Sequence, residues 1–249
     1  MVYAVWLAGI AAMFVVLERL WPRLPEQPMF RRGIVTDLVY IVFNSEVLGM
    51  ILGVATAWIL RGYAPAGIMR AVPFWAQLPI LLVAFDFLQW SIHNLLHRVP
   101  FLWEFHKVHH SIEEMDWIGN WRFHWVEIVV YKSLLYPFAA MLGFSPAAMF
   151  WYGVLNTVVG HFAHSNLRWL VGPLRYIVNS PEMHLWHHAH PDSGPPNRNF
   201  GITLSVWDWL FGTAHLPDTA PSRLGFAGIE EFPRGFLAQM IEPFLRWLR

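Results

Sequence analysis

"VPFWAQLPILLVAFDFLQWSIHNLLH" (residues 72–97) decides how the rest of the chain is read. It is apolar over the length of about 20 residues that a helix needs to cross a bilayer. Its last turns carry His93 and His97 at spacing i, i+4, which puts both imidazoles on one helix face. A membrane-length helix ending in paired metal-seeking side chains implies a membrane protein whose chemistry sits at the ends of its helices. The next segment extends the pattern. "FLWEFHKVHHS" (101–111) places His106, His109 and His110 at i, i+3, i+4, and "EMHLWHHAH" (182–190) repeats that spacing with His184, His187 and His188.

Composition agrees with a membrane protein. Of 249 residues, 56% are hydrophobic and 14% charged, against about 45–50% and 25% in an ordinary soluble domain. Fifteen Trp and nineteen Phe supply the aromatic excess of membrane interfaces. The 17 basic and 17 acidic residues cancel, so no overall field recruits nucleic acid. Cysteine is absent, which excludes disulfides, thiolate zinc sites and Cys-ligated iron–sulfur clusters.

Other apolar stretches complete a bundle. "VYAVWLAGIAAMFVVLERLW" (2–21) lacks a basic leader and a small-residue cleavage site, and reads as a retained anchor. Residues 37–60 form a second span, with Asn44, Ser45 and Glu46 as a polar interruption; residues 125–164 hold two further apolar segments broken at "GFSP" (143–146). These last are either two spans or a hairpin that dips in and returns. The expected fold is all-α: a polytopic membrane bundle of about four to five membrane helices or a re-entrant hairpin, under a cytoplasmic His-rich helical cap. Arg19, Arg23, Arg31 and Arg32 follow the first span, whereas only Arg61 and Arg70 follow the second. The positive-inside tendency then places the N-terminus outside and the histidines on the cytoplasmic side. The expected division is N-terminal membrane helices over 1–71, a catalytic region over 72–215 and an amphipathic, interface-lying tail over 216–249.

Two further groups accompany the triplets. His161 and His164 in "HFAH" are i, i+3, and His124 stands alone in "RFHWVE". The last triplet has its own helix start, with Ser180 as cap, Pro181 at the first helical position and Glu182 favouring the dipole. His190 falls about 240° around from His184 at 100° per residue and leaves the shared face. A lone His on an apolar face is ordinarily a hydrogen-bonded core residue. Neutral imidazole is a poor phosphate clamp, and haem needs ligands facing each other across a porphyrin. Two matched triplets plus a pair instead suit one or two transition metals. No HExxH protease motif occurs. Carbon–hydrogen bonds of a lipid buried in the bilayer are unactivated, so attack on them calls for a redox metal and dioxygen. Metal transport is the rival reading from another class. It predicts histidines at several depths along facing spans, not gathered at one end.

The segments "HNLLH", "LWEFHKVHHS", "WRFHWVE", "HFAHSN", "SPEMHLWHHAH", "NRNFG" and "LSVWDWLFGT", over roughly residues 80–215, resemble the fatty acid hydroxylase/sterol desaturase superfamily of membrane di-iron enzymes. The resemblance implies His93, His97, His106, His109, His110, His184, His187 and His188 as core ligands of two iron ions and His164 as a ninth. It leaves the tenth open between His161 and His124. It further implies O2 as co-substrate, a lipid substrate, and an external electron donor such as a ferredoxin or a cytochrome with its reductase. Hydroxylation is the expected outcome and desaturation the alternative within the same superfamily. A metal transporter or a metal-binding non-enzyme stays as the alternative from another class. Glu104, Asp86, Glu127, Glu182 and Asp208 are the carboxylates available to orient ligand imidazoles. Asn199 and Gly201 are expected to shape a loop beside the metals.

Overall fold

A computed structural model describes residues 2–59, 61, 67–168 and 172–248. Residue 60, the end of the expected second span, lies outside that set. Among the described residues the chain is all-helical: ten α-helices, short 3-10 turns and isolated bridges, with no β-strand. The helices are α1 (Val2–Leu20), α2 (Ile34–Ile41), α3 (Gly49–Ile59), α4 (Phe74–Arg98) and α5 (Pro100–His110). They continue as α6 (Trp125–Leu142), α7 (Pro146–His164), α8 (Pro181–His187), α9 (Val206–Leu210) and α10 (Phe236–Trp247).

Among the described residues, three helical stretches are long and apolar enough to cross a membrane: Ile34–Thr56, Phe74–Arg98 and Trp125–Leu142. The first is one continuous rod in which a π-helical segment, Val42–Leu48, joins α2 to α3. Its polar interruption divides in two. Asn44 is buried and donates to the carbonyls of Trp121 (2.9 Å) and Phe123 (3.1 Å), whereas Glu46 is exposed. The extra residue per turn of a π-helix rotates one side chain off the regular face.

At its centre α4 packs against α7 and α6. Phe85 is fully buried among Phe138, Phe144 and Tyr152 in edge-on and tilted ring contacts. The "GFSP" break is the corner between α6 and α7. Gly143 ends α6 at φ +79°, Ser145 caps α7 by accepting the Ala148 N–H (3.2 Å), and Pro146 opens that helix. From α4, Gln77 grips the corner, accepting the Ser145 amide (2.9 Å) while donating to the Met69 and Val72 carbonyls. On the other side, Ile10 and Phe14 of α1 pack with Val154 of α7 and Leu167. The tail closes over α2 and α5: Tyr40 and Val108 share a cluster with Phe226, Ile229 and Phe232, and α10 adds Phe236 and Met240.

Candidate metal centre

Four helix ends meet at the site. The last turns of α4 bring His93 and His97, α5 brings His106, His109 and His110, the final residue of α7 is His164, and α8 with its C-cap supplies His184, His187 and His188. The start of α8 matches the sequence expectation, Ser180 accepting the Met183 N–H (3.3 Å) with Pro181 at the first position. His93, His97, His106, His110 and His187 each present one ring nitrogen within 4.8 Å of the others, and His109, His164, His184 and His188 do the same. The two groups adjoin, with the rings of His110 and His188 stacked 4.3 Å apart.

Hydrogen bonds fix which nitrogen faces inward. A carbonyl can only accept, so Nδ1–H must donate in His93 to Phe200 O (2.8 Å), in His109 to Arg122 O (3.2 Å), in His164 to Gly160 O (2.9 Å) and in His187 to Arg198 O (2.8 Å). His106 Nδ1 pairs with the buried Glu127 carboxylate (2.9 Å). Every Nε2 so fixed is a lone-pair acceptor, yet these atoms face one another. His93 lies 3.1 Å from His106 and His164 lies 3.2 Å from His109. Acceptors converging on acceptors, with water excluded, repel unless a cation sits between them. Metal–nitrogen bonds of about 2.1 Å at right angles would put neighbouring nitrogens about 3.0 Å apart, close to these separations. Burial, and next the neighbouring imidazoles, hold His106, His110 and His188 well below the usual histidine pKa, and the same order holds for His109 and His184. They are neutral, as ligands must be. The donor set therefore fits two metal ions.

Two histidines from the sequence set lie elsewhere. His124 is the N-cap of α6: Nδ1 accepts the Val126 N–H (3.1 Å) and Nε2 donates to Met240 O (3.1 Å). His161 sits one turn below His164, its Nδ1 against the Asn120 side-chain amide (3.0 Å) and its Nε2 accepting the Trp121 indole N–H (3.3 Å). The structure brings neither into the clusters. His190, left out on rotation, also lies outside them.

Among the described residues, Glu127 is the one candidate carboxylate of the five that hydrogen-bonds a cluster imidazole. Glu104 pairs with Lys107. Asp86 and Asp208 act one step further out, on the loop that supplies Phe200 O. Asp86 accepts the Thr203 and Leu204 amides (2.8 and 3.0 Å) and the Trp207 indole (2.9 Å). Asp208 accepts the Phe200 and Gly201 amides (2.9 and 2.7 Å), the Trp90 indole (3.1 Å) and the Thr213 hydroxyl (2.6 Å). Asn199, at φ +56°, ties that loop to α8 through Met183 O (2.8 Å), and a Cβ on Gly201 would lie 2.6 Å from Leu204 O. Sequence reading missed a buried network that backs the four-histidine group. Arg31 bridges Asp37 (2.8 Å) and Asp116 (2.5 Å), and Arg122 binds Asp37 through Nε (2.5 Å). The signal available was the density of charge at "RRG" and "RFHWVE" in a chain otherwise short of it.

Comparison with known proteins adds the family. The model for "Fatty acid hydroxylase" matches residues 78–213. Ornithine lipid hydroxylase OlsE of Rhizobium tropici is 34% identical over 176 residues, covering 70% of this chain and 52% of OlsE. Alkylglycerol monooxygenase of Homo sapiens is 27% identical over 135 residues, covering 51% of this chain and 28% of that protein. The chain thus spans about half the length of the first and under a third of the second. No solved structure matches the chain. With more than half of its residues under the family model and the histidine boxes folded into two adjoining clusters, the chain belongs to the fatty acid hydroxylase family.

Proposed function

We propose that this chain is an integral membrane di-iron hydroxylase that inserts one oxygen atom into a lipid carbon–hydrogen bond, with its active site on the cytoplasmic side. The observation that carries the reading is the convergence of nine imidazoles, eight buried and His97 partly so, in groups of five and four, beside the end of the membrane-length helix α4. The overall change is R–H + O2 + 2e⁻ + 2H⁺ → R–OH + H2O, with electrons and protons from a separate donor protein such as a ferredoxin or cytochrome and its reductase. Iron, when bound, supplies the redox chemistry that lets O2 attack an unactivated bond. His93, His97, His106, His110 and His187 would hold one ion, and His109, His164, His184 and His188 the other.

The chain's own contribution is positioning. Carbonyls of Phe200, Arg122, Gly160 and Arg198 lock ring orientation, and Glu127 makes His106 a stronger donor. The five nitrogens of the first group exceed the four of a closed tetrahedral zinc site, which favours iron. The imidazoles gather at one level and do not run along the spans, which favours catalysis over transport. The named activities of OlsE and alkylglycerol monooxygenase support a polar lipid as substrate class.

Lipid extracts of membranes with and without the active protein test the reaction. A product one oxygen heavier is expected; a product two hydrogens lighter would reassign the chain to desaturation, and an unchanged lipid profile would refute both. His109→Ala is expected to abolish activity and lower iron content, and full iron occupancy in that variant would remove His109 from the ligand set.

A further inference from the structure

Outside the histidine clusters, a cavity of about 310 Å³ opens where the loop before α2 meets Ser111, Arg122 and the turn at Pro233 and Arg234. Its walls are rich in donors and short of acceptors. Gly33 caps α2 at φ +84° with no side chain to accept the first-turn amides, and a Cβ there would lie 2.8 Å from Arg122 Nη2. Arg31 is 2% exposed; its Nη atoms reach Asp37, Asp116 and the Arg32 carbonyl, but its buried Nε has no hydrogen-bond partner among the described residues. Arg122 spends Nε on Asp37 and Nη1 on Ser111, leaving Nη2 with only a 3.5 Å contact to Gly33 O. Arg32 and Arg234 complete the wall, and its one carboxylate, Glu113, stands 3.8 Å from Arg234. Asp37, in the first turn of α2, and Asp116 neutralise the deeper guanidiniums from behind, and Glu113 offsets only one of the two outer arginines, which leaves the cavity wall one positive charge in excess.

We propose that this cavity binds the phosphate of an anionic membrane lipid. It lies at the first turn of the candidate span Ile34–Thr56, the depth at which headgroups sit. Val35 lines it and is 71% exposed, and Leu38, Val39 and Val42 are exposed further along the same rod. An acyl chain leaving the cavity therefore has an apolar track to follow. Basic residues at the cytoplasmic leaflet attract anionic lipid. Occupancy also bears on the histidines. The Arg122 guanidinium faces the cavity while its carbonyl accepts the His109 Nδ1–H (3.2 Å), so one residue links the headgroup to the four-histidine cluster.

The proposal rests on the membrane placement and not on oxygenase chemistry, so it is read without iron or turnover. Native mass spectrometry of the detergent-solubilised full chain, offered equal phosphatidylglycerol and phosphatidylcholine, is expected to show preferential retention of phosphatidylglycerol. The Arg32→Gln/Arg234→Gln variant, altered only at exposed positions, should lose that preference by roughly fivefold for each arginine. Competition by inorganic phosphate would support the phosphate as the recognised group. Thermal stabilisation by inorganic phosphate without any lipid preference would move the ligand from the membrane to the cytosol and overturn the lipid assignment. Equal retention of the two lipids without a phosphate effect, or an unchanged preference in the variant, would overturn the site.

Discussion

Glu127 provides the sharpest test of the metal centre, because it is the carboxylate that meets a cluster imidazole. Its Oε1 accepts the His106 Nδ1–H at 2.9 Å, with both side chains 1% exposed, and its Oε2 has no partner among the described residues. Glu127→Ala removes the acceptor that orients His106 and strengthens it as a donor. Loss of such an outer partner costs about 10–100-fold in metal affinity, or about 1.4–2.7 kcal/mol. Glu127→Gln keeps an oxygen able to accept the same hydrogen bond but removes the charge, so it should fall near the lower end. The effect should be confined to the five-histidine group, since His109, His164 and the rest of the second group are held by other atoms. The assay is iron per chain at equilibrium with a graded series of chelator. Wild type should release iron in two steps, and Glu127→Ala should shift one step by 10–100-fold and leave the other in place. Two unshifted steps, or two steps shifted equally, would refute the link from Glu127 through His106 to a single ion.

Three further outcomes follow from the same geometry. His164→Ala should lose metal from the four-histidine group, whereas His161→Ala and His124→Ala should retain the full complement by metal analysis. The latter two should cost stability instead, about 1 kcal/mol for the lost cap at His124 and about 1–3 kcal/mol for the unpaired groups left at Asn120 and Trp121. Asp208→Ala strips the acceptor from two buried amides, an indole and a hydroxyl; a loss of about 3–5 kcal/mol is expected in detergent denaturation, with Asp208→Asn costing less. Acid should destabilise the metal-free protein. Histidines 106, 109, 110, 184, 187 and 188 have folded pKa values lowered by burial, so below about pH 6.5 the unfolded chain binds protons that the folded chain does not. Stability is then fully present above that pH and falls as pH drops through and below it; a thermal midpoint flat from pH 7 to 5 would contradict the buried, neutral state.

Helix-borne parts of this site were legible because helical spacing is a local property. His93 with His97, and each His-x-x-His-His triplet, share a face whatever surrounds them, and the Ser180–Pro181 start needs no tertiary contact. Spacing fails where depth decides. His161 and His164 are only about 60° apart around α7, but His161 lies about 4.5 Å further from the helix end and meets Asn120 and Trp121 in place of other imidazoles. Burial of polar groups in the second span was equally out of reach. Nothing in "NSE" says that Asn44 would find two carbonyls while Glu46 faced outward.

Least legible were the backbone acceptors, since every residue carries the same carbonyl and no side-chain code marks which one will be used. Their distribution has a physical cause. Within a helix each carbonyl is already engaged, and Gly160 O serves His164 from inside α7 only because an oxygen has two lone pairs. The other carbonyl acceptors, at Arg122, Arg198 and Phe200, lie in irregular segments, where a carbonyl is free to turn toward a ring. Such segments are mobile by default, so a rigid ligand set requires that they be pinned. Asp208 and Asp86 do this for residues 200–204 from α9 and α4, and the Arg122–Asp37–Arg31–Asp116 chain does it for the segment before α6. The scarce charges of this chain therefore serve less to meet the metals than to immobilise the loops that aim the histidines at them.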